Sequence, residues 1–234
     1  MARALALGLG EPALFTDGGS GRASRLAAEV GGEALGSNAG LARADLLVLA
    51  HKPAQLDAVA REIGQAPLVL SLLGGVTVAA VEDAYPGARV VRAMPNTAVE
   101  VRRGVTCICG ADVPAVQDVL GRVGTVVRLA ERLMDAATAV SGVAPAYVAL
   151  IAEAWVDAAV GQGIPAAQAA ELVADSLAGS AALLLAHHMD TLGVRRAVTS
   201  PGGMTARGLR ALEQAGLRSA FSDAAAAVAG SAAK

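Results

Sequence analysis

Residues 46–50 read Leu-Leu-Val-Leu-Ala, an uninterrupted apolar run that His-Lys-Pro at residues 51–53 follows directly. An apolar run of this kind is typical of a strand that is buried on both faces, as in a parallel sheet. Further strand candidates occur in the first half of the chain, at residues 12–17, 67–72, 88–93, 104–109 and 125–129. The first half is therefore predicted to contain a buried parallel sheet.

Helical candidates alternate with these strands, at residues 22–30, 55–63, 77–84 and 113–122. Such alternation is typical of a doubly wound α/β fold. Beyond residue 130 the strand candidates end and alanine-rich helices follow, at residues 144–162, 165–188, 205–214 and 217–229. We predict a doubly wound α/β domain at residues 1–130 and an all-helical domain at residues 131–234.

Composition and charge exclude several classes of protein. The 19 basic and 21 acidic residues leave a net charge of −2, so neither nucleic acid nor a membrane surface is an expected partner. With 54% hydrophobic and 17% charged residues, the chain is not intrinsically disordered. The uncharged stretch 136–152 contains Gly142 and Pro145, which predicts that it is too short and broken to span a membrane. No secretory signal is visible, so the protein is expected in the cytoplasm.

The two cysteines, Cys107 and Cys109, would lie on the same face of a strand, where they are expected to be small core residues. With 2 Cys and 3 His, the chain is too poor in ligands for a disulfide framework or a zinc site. We therefore predict no metal site.

Four short segments carry a resemblance to a known family. They read Ala-His-Lys-Pro at residues 50–53, Arg-Ala-Met-Pro-Asn-Thr at 92–97, Ser-Gly-Val-Ala-Pro-Ala-Tyr at 141–147 and Val-Thr-Ser-Pro-Gly-Gly-Met-Thr at 198–205. In this order and spacing they resemble pyrroline-5-carboxylate reductase, over essentially the whole chain. The resemblance implies reduction of Δ1-pyrroline-5-carboxylate to L-proline, by transfer of a hydride from NADPH or NADH to the ring imine. It also implies that residues 1–130 form a Rossmann-type, dinucleotide-binding domain and that residues 131–234 form a helical substrate and dimerisation domain.

Two of these segments follow strand candidates, and a dinucleotide lies at the carboxyl edge of a parallel sheet. The resemblance implies that the cofactor-binding residues are Asn38, Ala50, His51, Lys52, Pro53 and Asn96. Asn96 is expected to reach the nicotinamide end, whereas His51 stands where the family usually has a small apolar residue. The alternative is that Pro53 and Pro95 simply end strands and begin helices.

The choice between the two cofactors stays open in the sequence. Asp17 ends the second strand of the family pattern, where a carboxylate would bond a ribose hydroxyl and favour NADH. Ser20 and Arg22 could instead hold the 2′-phosphate of NADPH.

The segment at residues 200–205 predicts the substrate site. Two glycines before a helix expose backbone N–H groups at its positive end, which suits the carboxylate of the substrate. By resemblance, Thr205 is catalytic because its hydroxyl reaches the imine nitrogen, and the substrate-binding residues are Ser200, Gly202, Gly203 and Met204. The alternative is a turn that only caps a helix.

The resemblance has gaps, which keep other functions open. Val143 and Ala144 replace a Ser-Gly pair, and Met1-Ala2 match the last letters of the family's glycine fingerprint G-x-G-N-M-A. We therefore expect residues 1–234 to lack the first strand and glycine loop, and to bind cofactor more weakly than a form extended by roughly ten residues. The alternatives are a related imine or β-hydroxyacid reductase, or a non-catalytic dimeric remnant. The alanine- and leucine-rich helices predict a homodimer or larger oligomer.

Overall fold

The computed structural model describes residues 1–231 and divides into two compact units. The first comprises Met1–Pro145, to which the chain from Val228 is also assigned, and the second comprises Ala146–Ala227. The first unit thus continues beyond residue 130, and the functional division at that point stays a prediction.

The strands of the first unit form two sheets. Their bounds are β1 Leu14–Phe15, β2 Glu33–Ala34, β3 Leu47–Leu49, β4 Leu68–Ser71, β5 Arg89–Pro95, β6 Gly104–Gly110 and β7 Gly124–Arg128. β1 and β2 form a parallel pair, and the other five follow the order β3-β4-β5-β6-β7. Every neighbouring pair is parallel except β5 and β6, which are antiparallel. The predicted α/β sheet is confirmed, while the short strand β2 was not predicted.

The reversal at β6 follows from the length of the connection before it. The chain passes from Pro95 to Gly104 through a 3-10 turn at Thr97–Val101. A parallel crossover needs a dozen or more residues, so a connection this short can only return the chain alongside β5. Pro95 consequently pairs with Thr106 across the two strands.

Helices cover both faces of the larger sheet. Their bounds in this part of the chain are α1 Ala2–Leu9, α2 Arg22–Val30, α3 Leu56–Ile63, α4 Val78–Ala84 and α5 Pro114–Gly121. Leu70 and Val91 pack with α1 and α5, whereas their neighbours Val69 and Val90 pack with α3 and α4. Because successive strand residues point to opposite faces, β4 and β5 are buried on both sides.

The run at residues 46–50 is buried on one face only, which corrects the prediction. Leu47 and Leu49 are buried, but Val48 is 39% exposed. β3 lies at the edge of its sheet, and the core formed by α1 and α5 centres on β4, β5 and β6 instead.

The cysteine prediction is confirmed. Cys107 and Cys109 are free thiols that pack on the buried side chain of Met134. Burial raises the pKa of both thiols, so they remain protonated at neutral pH.

The remaining helices include one long continuous run. A short helix α6, Met134–Ala137, leads through a π-helical turn at Thr138–Gly142 into α7, Ala144–Gly161. The predicted helix at residues 144–162 is confirmed, with Pro145 in its first turn, where proline is tolerated. The expected interruption of the stretch 136–152 is wrong, because the π-helical turn connects α6 to α7. The other helices are α8 Ala166–Ala186, α9 Thr191–Ala197, α10 Met204–Gln214 and α11 Leu217–Ser231.

Two helical runs, Glu131–Gly161 and α8, are long and apolar enough to cross a membrane by length and composition alone. Core helices of soluble proteins meet the same criterion, so the predicted absence of a membrane partner stays a prediction.

Helix α1 packs closely on the 3-10 turn at Thr97–Val101. A Cβ atom added at Gly8 would lie 2.0 Å from the backbone oxygen of Val99. The carbonyl oxygen of Gly8 also accepts a hydrogen bond from Arg102 Nε at 2.8 Å. Glycine at this position therefore permits the backbones to approach.

We expect Gly8→Ala to lower the free energy of unfolding by about 1–3 kcal/mol, because the added methyl group meets backbone that cannot rotate away. The matched control is Gly121→Ala near the end of α5, where no atom lies within 4 Å of the added Cβ. That change should stabilise the helix by about 0.5–1 kcal/mol. Urea unfolding measures both, and equal effects of the two substitutions would contradict this account of Gly8.

Candidate functional site

The loop after β3 has a defined hydrogen-bonded shape. Pro53 begins a 3-10 turn that leads into α3, and the N–H of Gln55 donates to the Lys52 carbonyl oxygen at 2.9 Å. The side-chain oxygen of Gln55 accepts from the N–H of Lys52 at 3.3 Å. His51 Nδ1 lies 3.0 Å from the carbonyl oxygen of Lys52, so it must carry the hydrogen and donate. These bonds fix the predicted cofactor loop at the carboxyl end of β3.

A groove of about 320 Å³ lies between the loops that follow β3 and β4. Its lining residues are Pro53, Ala54, Leu56, Asp57, Gly75, Val76, Thr77 and Ala80. The groove is at the carboxyl ends of two adjacent parallel strands, where a dinucleotide binds in folds of this type. The residues after β4 were not predicted as site residues, although Gly75, at φ 72°, marked a tight turn there.

Asn96 follows β5 directly and is fully engaged by neighbouring backbone. Its Oδ1 accepts from the N–H of Val105 at 3.2 Å, and its Nδ2 donates to the carbonyl oxygen of Ser141 at 3.2 Å. Its backbone N–H and carbonyl oxygen bond to Val105 and Val99 respectively. The residue is 6% exposed. A contact with nicotinamide would draw on the second hydrogen of Nδ2, and that contact stays a prediction.

Arg92 is a residue that sequence reasoning did not single out. Its side chain is 5% exposed and lies 3.3 Å from Glu131 Oε1 and 3.5 Å from Asp135 Oδ1. Glu131 Oε1 also accepts from the N–H of Val78 at 2.7 Å, at the start of α4. The buried cation thus joins β5, α4 and the residues that lead into the long helical run.

Asp17 and its neighbours form a turn before α2. The carboxylate of Asp17 accepts hydrogen bonds from the backbone N–H groups of Gly19, Ser20 and Ala23 and from the Ser20 hydroxyl. These bonds, that from Ala23 above all, lower the pKa of Asp17 to about 2. Arg22 Nε donates to Ser20 Oγ at 2.8 Å, so the Ser20 and Arg22 side chains lie together on the exposed side of the turn.

Asn38 begins a 3-10 turn at Asn38–Arg43, and its Nδ2 donates to Glu62 Oε2 on α3 at 2.7 Å. The bond to Glu62 holds the side chain of Asn38 in place. Its contact with the cofactor stays a prediction.

The second unit holds the predicted substrate residues. Gly203 donates its N–H to the Ser200 carbonyl oxygen at 3.1 Å, and a Cβ atom there would lie 2.3 Å from Ser200 Oγ. Gly202 has φ 70°, a conformation that suits glycine. Thr205 lies exposed in the first turn of α10, and within residues 1–231 its hydroxyl has no hydrogen-bond partner. Met204 is 83% exposed.

The structure therefore places every predicted cofactor residue in the first unit and every predicted substrate residue in the second. The described part of the chain contains no group of three or more His, Cys, Asp or Glu side chains that could hold a metal ion.

Comparison with known proteins gives a consistent result. The family model for the dimerisation region of pyrroline-5-carboxylate reductase matches residues 131–234. Relatives named pyrroline-5-carboxylate reductase include a protein of Synechocystis and one of Methanosarcina acetivorans. Each is 38% identical to this chain, over 77% of the chain and 71% of the relative.

Solved structures agree in fold. The pyrroline-5-carboxylate reductase of Coxiella burnetii superposes with a TM-score of 0.87 at 31% identity, covering 99% of this chain and 93% of that one. The pyrroline carboxylate reductase of Plasmodium falciparum, solved with NADP bound, superposes with a TM-score of 0.84 at 28% identity, covering 98% and 92%.

Proposed function

This chain belongs to the pyrroline-5-carboxylate reductase family, and from that membership we propose how its own residues reduce Δ1-pyrroline-5-carboxylate to L-proline with NAD(P)H. The observation that carries the function is the 38% identity to named reductases over 71% of their length. The roles of individual residues and the choice of cofactor are proposals that the local geometry supports.

The cofactor site is proposed at the carboxyl ends of β3, β4 and β5. The residues assigned to it are Asn38, Ala50, His51, Lys52, Pro53 and Asn96. The groove beside Pro53 and Gly75 supports this site, because glycine lets backbone approach a ligand closely. When bound, the nicotinamide supplies a hydride, while the protein binds and orients the two reactants.

We propose that NADPH is the preferred cofactor. The carboxylate of Asp17 already accepts hydrogen bonds from three backbone N–H groups and the Ser20 hydroxyl. It is therefore poorly placed to accept a further hydrogen bond from a ribose hydroxyl. The exposed pair Ser20 and Arg22 offers a hydroxyl and a guanidinium to a 2′-phosphate.

The substrate site is proposed at the turn before α10. The backbone around Ser200, Gly202, Gly203 and Met204 would receive the substrate carboxylate at the positive end of the helix. Hydride addition to the carbon of the imine moves the electron pair of the double bond onto nitrogen, which then takes up a proton. The free hydroxyl of Thr205 would donate a hydrogen bond to that nitrogen and stabilise the charge that develops there.

We further propose that residues 131–234 form a homodimer, and that the enzyme is cytoplasmic. Large apolar side chains of this region are exposed in the single chain, among them Leu150, Trp155, Leu172, Leu185 and Phe221. Contiguous exposed apolar surface marks interfaces, and the matching family model describes a dimerisation region. A partner subunit would cover these side chains, so a membrane is not needed to explain them.

Removing the Thr205 hydroxyl should mainly lower kcat. Loss of one polar contact in the transition state costs about 10²-fold, so we expect Thr205→Ala to reduce kcat by that order. Thr205→Ser keeps the hydroxyl and should stay within a few-fold of wild type. Steady-state oxidation of NADPH with Δ1-pyrroline-5-carboxylate measures both variants. If Thr205→Ala left kcat and KM within a factor of two, the catalytic role would be wrong.

Arg22→Ala should raise the KM for NADPH by about tenfold, since one charge-assisted bond to phosphate is lost, and change the KM for NADH little. Arg25→Ala, on the exposed face of the same helix, is the control and should affect neither cofactor. Equal loss of affinity for both cofactors would count against a 2′-phosphate site at Arg22.

The full chain should sediment above its monomer mass of 23.1 kDa at micromolar concentration. Leu172→Asp on α8 should favour the monomer, because a carboxylate would be buried in the interface. The control is Val101→Asp, at a side chain that is 69% exposed on the first unit, which should leave the mass unchanged. A wild-type monomer would overturn the proposed dimer.

A further inference from the structure

Asn96 donates a hydrogen bond to the Ser141 carbonyl oxygen, for which the helix has no backbone donor at residue 145. In an α-helix the carbonyl oxygen of Ser141 would accept from the N–H four residues further on. That residue is Pro145, which has no N–H. Asn96 Nδ2 donates to this oxygen at 3.2 Å from outside the helix. A carbonyl group that the sequence deprives of its α-helical donor thus accepts a hydrogen bond from a side chain that directly follows β5.

Further contacts on both sides of the Asn96–Ser141 hydrogen bond stabilise it. Ser141 lies in the π-helical turn Thr138–Gly142, and π-helical turns inside α-helices occur frequently at functional sites. Asn96 is itself fixed, since its Oδ1 accepts from Val105 on β6 and its backbone bonds to Val105 and Val99. On strand β5, four residues earlier, Arg92 holds Glu131 and Asp135 just before the turn. Arg92 and Asn96 therefore hold the segment 131–141 at two places.

We propose that Asn96 is a positioning residue: through the Ser141 carbonyl group it holds the π-helical turn at the carboxyl end of β5, beside the proposed cofactor site. The inference rests on the proposed function. It adds a second task to Asn96, one that acts through Ser141 and does not require contact with the cofactor.

Asn96→Asp tests this bond selectively. A carboxylate retains the acceptor for Val105 N–H but turns an oxygen without a hydrogen toward the Ser141 carbonyl oxygen. We expect kcat/KM for Δ1-pyrroline-5-carboxylate to fall about tenfold or more at pH 8, since a part-buried acceptor loses its donor. As pH falls and the introduced carboxyl group protonates, it can donate again, so the ratio of variant to wild-type kcat/KM should rise. Gln117→Glu, a surface substitution on α5, is the control and should give a flat ratio.

A second test uses Pro145→Ala, which returns an N–H to the helix. If Asn96 replaces the donor that Pro145 lacks, adding Pro145→Ala to Asn96→Asp should recover much of the lost kcat/KM at pH 8. The dissociation constant for NADPH in the binary complex should change less than kcat/KM. Failure of both the pH-dependent recovery and the Pro145→Ala rescue would overturn the proposal. If Asn96→Asp does not fold, the same rescue is measured with Asn96→Ala.

Hydrogen exchange separates this proposal from the proposed function. Backbone amides of residues 138–147 should exchange faster in Asn96→Asp than in wild type, and the added Pro145→Ala should slow that exchange. This readout needs no substrate. Absence of turnover by the wild-type chain would refute the proposed function alone, whereas unchanged exchange in Asn96→Asp would refute the positioning role.

Discussion

The burial of β4 and β5 on both faces is the constraint on which the rest of the structure depends. Val69 and Val90 face one helical layer, and Leu70 and Val91 face the other. Few aromatic side chains are available, so this core is made mainly from Val, Leu and Ala, and it excludes voids only if backbones approach closely. The close contact of Gly8 with Val99 is one result of that requirement. The buried core fixes the positions of the strand ends, and therefore of the loops at their carboxyl ends.

Polar side chains on β5 and directly after it connect that core to the helical run. A buried arginine is costly unless it is paired, and Arg92 pairs with two partly exposed carboxylates of the segment that enters the run. Four residues later, the uncharged side chain of Asn96 also binds this part of the chain, through a hydrogen bond to the Ser141 carbonyl oxygen. Because strand side chains alternate between faces, residues four apart project from the same side, and both reach the same segment. The geometry of residues 131–145 is thus set by the sheet as well as by helix propensity.

Sequence reasoning anticipated most of the helices and strands and the family. The four quoted segments identified the family, which the relatives confirm and which argues against a protein of another class. Strand β2 has two exposed residues, and α9 has seven with no apolar periodicity, so neither left a clear pattern. The helical continuation before Ala144 was missed, because Gly142 and Pro145 in an apolar stretch ordinarily indicate a break.

The sequence by itself determined the class of fold and the family, because these depend on local pattern and on short motifs. The tertiary structure decided what those residues do for one another. In the folded chain the Asp17 carboxylate holds a turn, while Ser20 and Arg22 stay exposed. Strand β6 runs antiparallel to β5, and the Asn96 amide donates to a carbonyl group 45 residues away in the chain. Such partnerships join positions that no sequence periodicity relates, and they exist only once packing has brought the segments within hydrogen-bond distance.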